Sequence, residues 1–97
     1  MKRVAITGVG IVSCLGTDAE TIAGKLQRGE SAVQVDPERL ALGFQSPLTT
    51  RIEGFDVHRH VNRKARKTMT EFSVQAYAAS VDAVRQAGLA PEDLQND

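Results

Sequence analysis

The feature that most constrains this sequence is a helical pattern from about Arg63 to Ala87 that is apolar on two sides. One row runs Met69, Phe72, Ala76, Ala79, Ala83 and Ala87, at spacings of three and four. A second row, Val74, Tyr77, Val81 and Val84, is displaced around the helix. The polar residues Glu71, Gln75, Asp82 and Gln86 leave only a narrow stripe for water. A helix of that kind is buried between layers. Asn62 supplies its N-cap and Gly88 its stop.

The opening of the chain makes the same demand. Arg3 to Ser13 reads as a strand whose odd and even positions are both apolar, as in a strand covered on both faces. Gly8 and Gly10 inside it mark a bend or a backbone packed close by. A chain of 97 residues removes only about 60–65% of its unfolded surface from water. It can hardly supply covering layers for both elements. Residues 1–97 are therefore expected to be the incomplete N-terminal portion of a larger domain.

Gly16-Thr17-Asp18 forms a turn, and Thr17 or Asp18 caps a helix from about Ala19 to Arg28 that ends at Gly29. Ile22 and Leu26, with Ala19 and Ala23, form its apolar face. A strand followed by a helix opens an α/β unit, and α/β is the fold class expected. Residues 30–61 are less regular. Pro37-Glu38-Arg39-Leu40 begins a short helix, Leu48 to Ile52 a short strand, and Gly54 ends it. Pro91-Glu92-Asp93-Leu94 starts a further helix.

Composition excludes several classes of function. Twelve Lys and Arg balance twelve Asp and Glu, so no net charge draws the chain to nucleic acid or membranes. Four aromatic residues and no Trp argue against base stacking. The single Cys14 excludes an intrachain disulfide framework and a cysteine-clustered zinc site. No apolar run approaches the 18–20 residues of a membrane span. Met1-Lys2-Arg3 before an apolar stretch imitates a signal peptide, but Thr7, Gly8 and Gly10 interrupt it. The expectation is a soluble, cytoplasmic protein.

Three motifs carry only ordinary readings. Gly8-Val9-Gly10 lacks the third glycine and the helix start of a dinucleotide site, which leaves glycines for packing and no nucleotide cofactor. Cys14 has no His near it in sequence to activate the thiol, so it reads as a small buried hydrophobe. His58 and His60 meet on one face only in a strand, with no third ligand, so no metal is expected.

The sharpest chemical feature is a basic run. Arg59, Arg63, Lys64, Arg66 and Lys67 place five positive charges in nine residues, with no acid between Asp56 and Glu71. At helical spacing Arg63, Lys64 and Lys67 share a face, with Arg66 at its edge. A solvated face is the plain reading. Against it, the charges crowd the start of the long helix, where the macrodipole disfavours cations. Such a patch suits phosphates or an acidic protein surface.

These elements together resemble a known family. Arg3-Val4-Ala5-Ile6-Thr7-Gly8-Val9-Gly10-Ile11-Val12-Ser13-Cys14-Leu15-Gly16 is similar to the opening of β-ketoacyl-[acyl-carrier-protein] synthases of the condensing-enzyme group. Leu26 to Val33 resembles their L-x-x-G-x-S-G/A-I/V segment. Arg63-Lys64-Ala65-Arg66-Lys67-Thr68-Met69 matches their Arg-Lys…Met helix start, and Ala87-Gly88-Leu89 its end.

The resemblance implies the N-terminal segment of a thiolase-like α-β-α-β-α layered fold, normally homodimeric. It also implies a decarboxylating Claisen condensation in fatty-acid synthesis, without a cofactor. In that family the nucleophilic Cys and two His residues lie in later motifs, so no catalytic residue carries over to this chain. Cys14 stands where many members carry Pro or Ser, and His58 and His60 are not the family's histidines. One surface does carry over, the docking site for acidic acyl carrier protein. Lys64 and Lys67 match its basic positions best, with Arg63 and Arg66 beside them, while Thr68 stands where some members have another Lys.

Two other readings differ in class. One is a non-catalytic carrier-binding module or a condensing-enzyme relative that lacks the nucleophile. The other is a small nucleic-acid-binding domain using residues 59 to 67.

Overall fold

The computed structural model describes residues 2–95. Met1, Asn96 and Asp97, the ends of the expected 1–97 portion, lie outside the described residues.

The first helix forms where its cap residue allows. Asp18 is extended (φ −128°, ψ 147°) and accepts the Thr21 amide at 2.8 Å, opening α1, Ala19–Gln27. Glu20 in the first turn and Lys25 in the last suit the helix dipole. Ile22 is its buried residue, and Gly29 (φ +69°) takes the chain out of the helix.

A two-residue strand β1, Gln34–Val35, then pairs antiparallel with β2, Leu48–Thr49, with Gln34 opposite Thr49 and Val35 opposite Leu48. The strand expected over Leu48 to Ile52 is thus confined to its first two residues. Between the strands lies α2, Pro37–Ala41, with Pro at its start and Asp36 as cap. Asp36 accepts the Glu38 amide at 2.9 Å and pairs with Arg39 (3.8 Å) and Arg51 (3.6 Å), tying helix and hairpin together.

The expected single helix over Arg63 to Ala87 is corrected to two. After α3, Val57–His60, comes α4, Arg63–Arg66, and then a separate α5, Glu71–Ala87. The break has a local cause. The Thr68 hydroxyl donates to the Ala65 carbonyl (3.2 Å), and Thr70 leaves helical geometry (φ −80°, ψ 167°) to cap α5. Threonine hydroxyls offer the backbone this alternative to continuing a helix. Asn62 caps α4 as expected, and Gly88 ends α5 in the left-handed region (φ +71°). Pro91–Gln95 is a 3-10 turn rather than an α-helix.

The opening strand is also corrected. Arg3 to Ile11 runs without ladder partners, and Ser13 makes only an isolated bridge to Gly16. The segment is nevertheless held against α5. A side chain on Gly8 would collide with the Ala83 carbonyl, and one on Gly10 with the Ala79 carbonyl. The two glycines therefore let one backbone lie directly on another, the packing role read from the sequence. The Val9 amide also donates to Gln86 Oε1 at 2.6 Å.

Little of the molecule is buried. The described core is Ile22, Val61, Val74 and Ala78. Val4 is 93% exposed, Ile6 87% and Phe72 73%. The radius of gyration is 17.4 Å, against about 12–13 Å for a compact domain of this length. The described residues thus leave both apolar elements partly uncovered, and α5 is covered on one side rather than sandwiched.

Candidate docking surface

The basic run is displayed by two short helices, α3 and α4, of which α3 packs against α5. Asp56 opens α3 by accepting the His58 amide at 2.9 Å. Val61, buried and extended (φ −137°, ψ 136°), links α3 to α4. Asn62 then opens α4 by accepting the Ala65 amide at 2.8 Å. The first turn of α5 carries Glu71 and no cation, so the dipole conflict expected for a single long helix does not arise. The break at Thr68 to Thr70 puts the cations on their own turn.

Arg59, Arg63, Lys64 and Lys67 are exposed. Among the described residues, none of the five cations from 59 to 67 forms an ion pair; the pairs are Arg28–Glu30, Asp36–Arg39, Asp36–Arg51 and Asp82–Arg85. Arg59, Arg63, Lys64 and Lys67 thus face water without a paired acid among the described residues.

Arg66 differs from its neighbours. It is half-buried, and its Nε is shut off from solvent with no hydrogen-bond partner. It lines a recess of about 460 Å³ between α3 and the start of α5, whose apolar wall is Phe55, Val57, Met69 and Val74. The sequence reading placed Arg66 at the edge of the exposed face. No helical spacing announces this, because α4 ends at Arg66 and the register does not carry through to α5.

The remaining candidates are the two histidines and Cys14. The His60 ring stacks on Phe55, with centroids 4.7 Å apart and planes at 6°. His58 and His60 lie on a helical turn, where residues two apart diverge. Among the described residues no three His, Cys, Asp or Glu side chains gather as a metal would need. Cys14 sits half-buried in the Ser13–Gly16 turn, beside a recess of about 280 Å³. Lys25 and Arg51 line that recess, charges its apolar sequence neighbours did not announce, and no imidazole lines it. No described helix is long and apolar enough to cross a membrane.

The pattern of elements and the whole length of the sequence agree with one family. Residues 1–97 match the family described as β-ketoacyl synthase, N-terminal domain, and the chain belongs to that family. It is 31% identical over 97 residues to 3-oxoacyl-[acyl-carrier-protein] synthase 1 of Haemophilus influenzae, covering all of this chain and 24% of that protein. It is 35% identical over 92 residues to nodulation protein E of Rhizobium sp. (strain N33), covering 95% of this chain and 23% of that one. The crystal structure of a β-ketoacyl synthase from Burkholderia phymatum STM815 superposes with a TM-score of 0.77 at 34% identity, over 96% of this chain and 23% of that chain. The chain thus spans about a quarter of the length of the relatives it matches.

Proposed function

We propose that residues 1–97 are the opening part of a 3-oxoacyl-[acyl-carrier-protein] synthase and that their share of its work is to receive the acyl carrier protein. The full-length protein carries an acyl group on a cysteine outside this chain. Malonyl-carrier protein loses CO2, and the electron pair of the broken C–C bond forms a carbanion at the thioester α-carbon. That carbanion attacks the acyl thioester carbonyl and expels the enzyme's cysteine thiolate. These 97 residues alone are inactive. The full-length protein takes the thiolase-like layered arrangement as a cytoplasmic homodimer.

One observation carries the docking role: five cations between residues 59 and 67, with no ion-pair partner among the described residues, in a chain of zero net charge. Exposed charges of one sign steer an oppositely charged partner and raise its association rate, an effect that salt screens. The uncovered faces of the opening segment and α5 agree with a larger domain around them.

The test is Lys64→Glu combined with Lys67→Glu in the full-length protein. Association with acyl carrier protein slows by roughly tenfold or more at low ionic strength, and the gap narrows as salt rises. The circular dichroism spectrum is unchanged. Binding and turnover equal to wild type at low salt would remove the docking role.

A further inference from the structure

The chain has two histidines, and both flank Arg59 inside the basic run. His58 and His60 are exposed on α3, the helix that packs against α5. The stacked Phe55 ring holds His60 in place, and His60 shares a recess with Asn62 and Ala65 at the start of α4 and with Tyr77 of α5. No carboxylate among the described residues lines that recess. Asp56, the cap of α3, and Glu71, at the start of α5, line a different one beside Arg66. Asp82, farther along α5, pairs with Arg85 at 3.5 Å. Among the described residues no acid forms an ion pair with either imidazole. The charged neighbours of the two rings along the run are the cations Arg59, Arg63, Lys64, Arg66 and Lys67.

Steering acts over a Debye length, about 8–10 Å at ordinary salt, so an approaching partner feels the run as a sum of charge. Each histidine adjoins Arg59 in the chain, with Cα atoms about 3.8 Å apart, so a proton on its ring adds to that sum. Lys and Arg keep their charge throughout neutral pH, whereas an imidazole exchanges its proton between about pH 5 and 8.

We infer that His58 and His60 make the docking surface pH-sensitive: as the rings gain protons the basic run grows from five charges to seven, and the acidic carrier protein is drawn in faster. This rests on the docking reading above and adds a titrating segment on α3 to it. The five fixed cations set the association rate present at every pH. The histidines add an increment in mild acid that is lost as pH rises toward about 8. Linkage supplies a second signature. An acidic partner favours the protonated rings, so forming the complex within this window takes up protons.

The experiment is stopped-flow association of acyl carrier protein with full-length protein at low ionic strength, between about pH 8 and pH 6. The proteins are wild type, His58→Gln with His60→Gln, and Lys64→Glu with Lys67→Glu. Glutamine stays polar but takes no proton in this range. The wild-type rate rises about threefold or more on going to the lower pH. The double glutamine variant matches wild type at the upper pH and rises less than half as much. High salt erases the difference between them. Calorimetry in two buffers of different ionisation heat reads more proton uptake on binding for wild type than for the glutamine variant.

A wild-type rate that stays flat, or one that rises equally in the glutamine variant, overturns the inference. A glutamine variant slowed by the same factor at both ends of the range also overturns it, because the rings would then act by packing and not by charge. Failure of the docking reading looks different: wild type does not bind the carrier, or charge reversal at Lys64 and Lys67 leaves association unchanged.

Discussion

The opening segment and the α3–α5 region solve the same problem by opposite means. Arg3 to Ile11 is rich in β-branched residues yet buries almost none of them: Val4 and Ile6 are nearly fully exposed. It is attached to α5 through backbone, by two glycines seated on the Ala79 and Ala83 carbonyls and by the Val9–Gln86 bond. The α3–α5 region holds three of the four buried residues, Val61, Val74 and Ala78, and is held by side chains. An apolar strand needs neighbours on both edges before its pattern becomes structure, whereas a helix satisfies its own backbone and needs only one packed face. The same sequence therefore yields one region that is locally complete and one that waits for partners.

The largest effect should come from the backbone attachment. Gly10→Ala in the full-length protein puts a methyl group into the Ala79 carbonyl and destabilises by about 3 kcal/mol. It also speeds amide exchange across residues 4–12, and unchanged exchange there would show that the close approach is dispensable. Val74→Ala, at the centre of the side-chain-held region, costs about 2 kcal/mol in denaturant unfolding. That loss should leave exchange in the opening segment unaltered, and coupling between the two would break the distinction.

The smallest effect concerns pH. Hydrogen bonds from the Thr21 side chain and amide hold the Asp18 carboxyl below its ordinary value of 3.8. A depressed acid contributes stability that is fully present above its unfolded value and is lost as pH falls through the folded one. The start of α1 therefore frays only in acid, below about pH 4. An NMR titration of the Thr21 amide should move in that window and stay flat from pH 5 to 8.

What could be read from the sequence follows the same division. Caps and stops are local chemistry, and Asp18, Gly29, Asn62 and Gly88 stand where their residue types predict. The packing role of Gly8 and Gly10 was legible because a glycine inside an apolar strand has few other uses. The break at Thr68–Thr70 was not, because the apolar periodicity runs through it from Met69 and outweighs two hydroxyls. The strand was misread because its ladder depends on neighbours that an apolar pattern only implies. Within the candidate site, the charges were legible as a run. The turning inward of Arg66 depended on the fold of α3 against α5, which residues 57–61 scarcely announce.

The central claim is that this chain serves a condensing enzyme as a receiving surface, with the nucleophile elsewhere. It is tested most directly by incubating full-length protein with an acyl-carrier-protein thioester and mapping the acylated residue by peptide mass spectrometry. The account predicts one acyl adduct, on a cysteine outside residues 1–97, with Cys14 unmodified. An acyl group on Cys14, or no acylated cysteine at all, would contradict it.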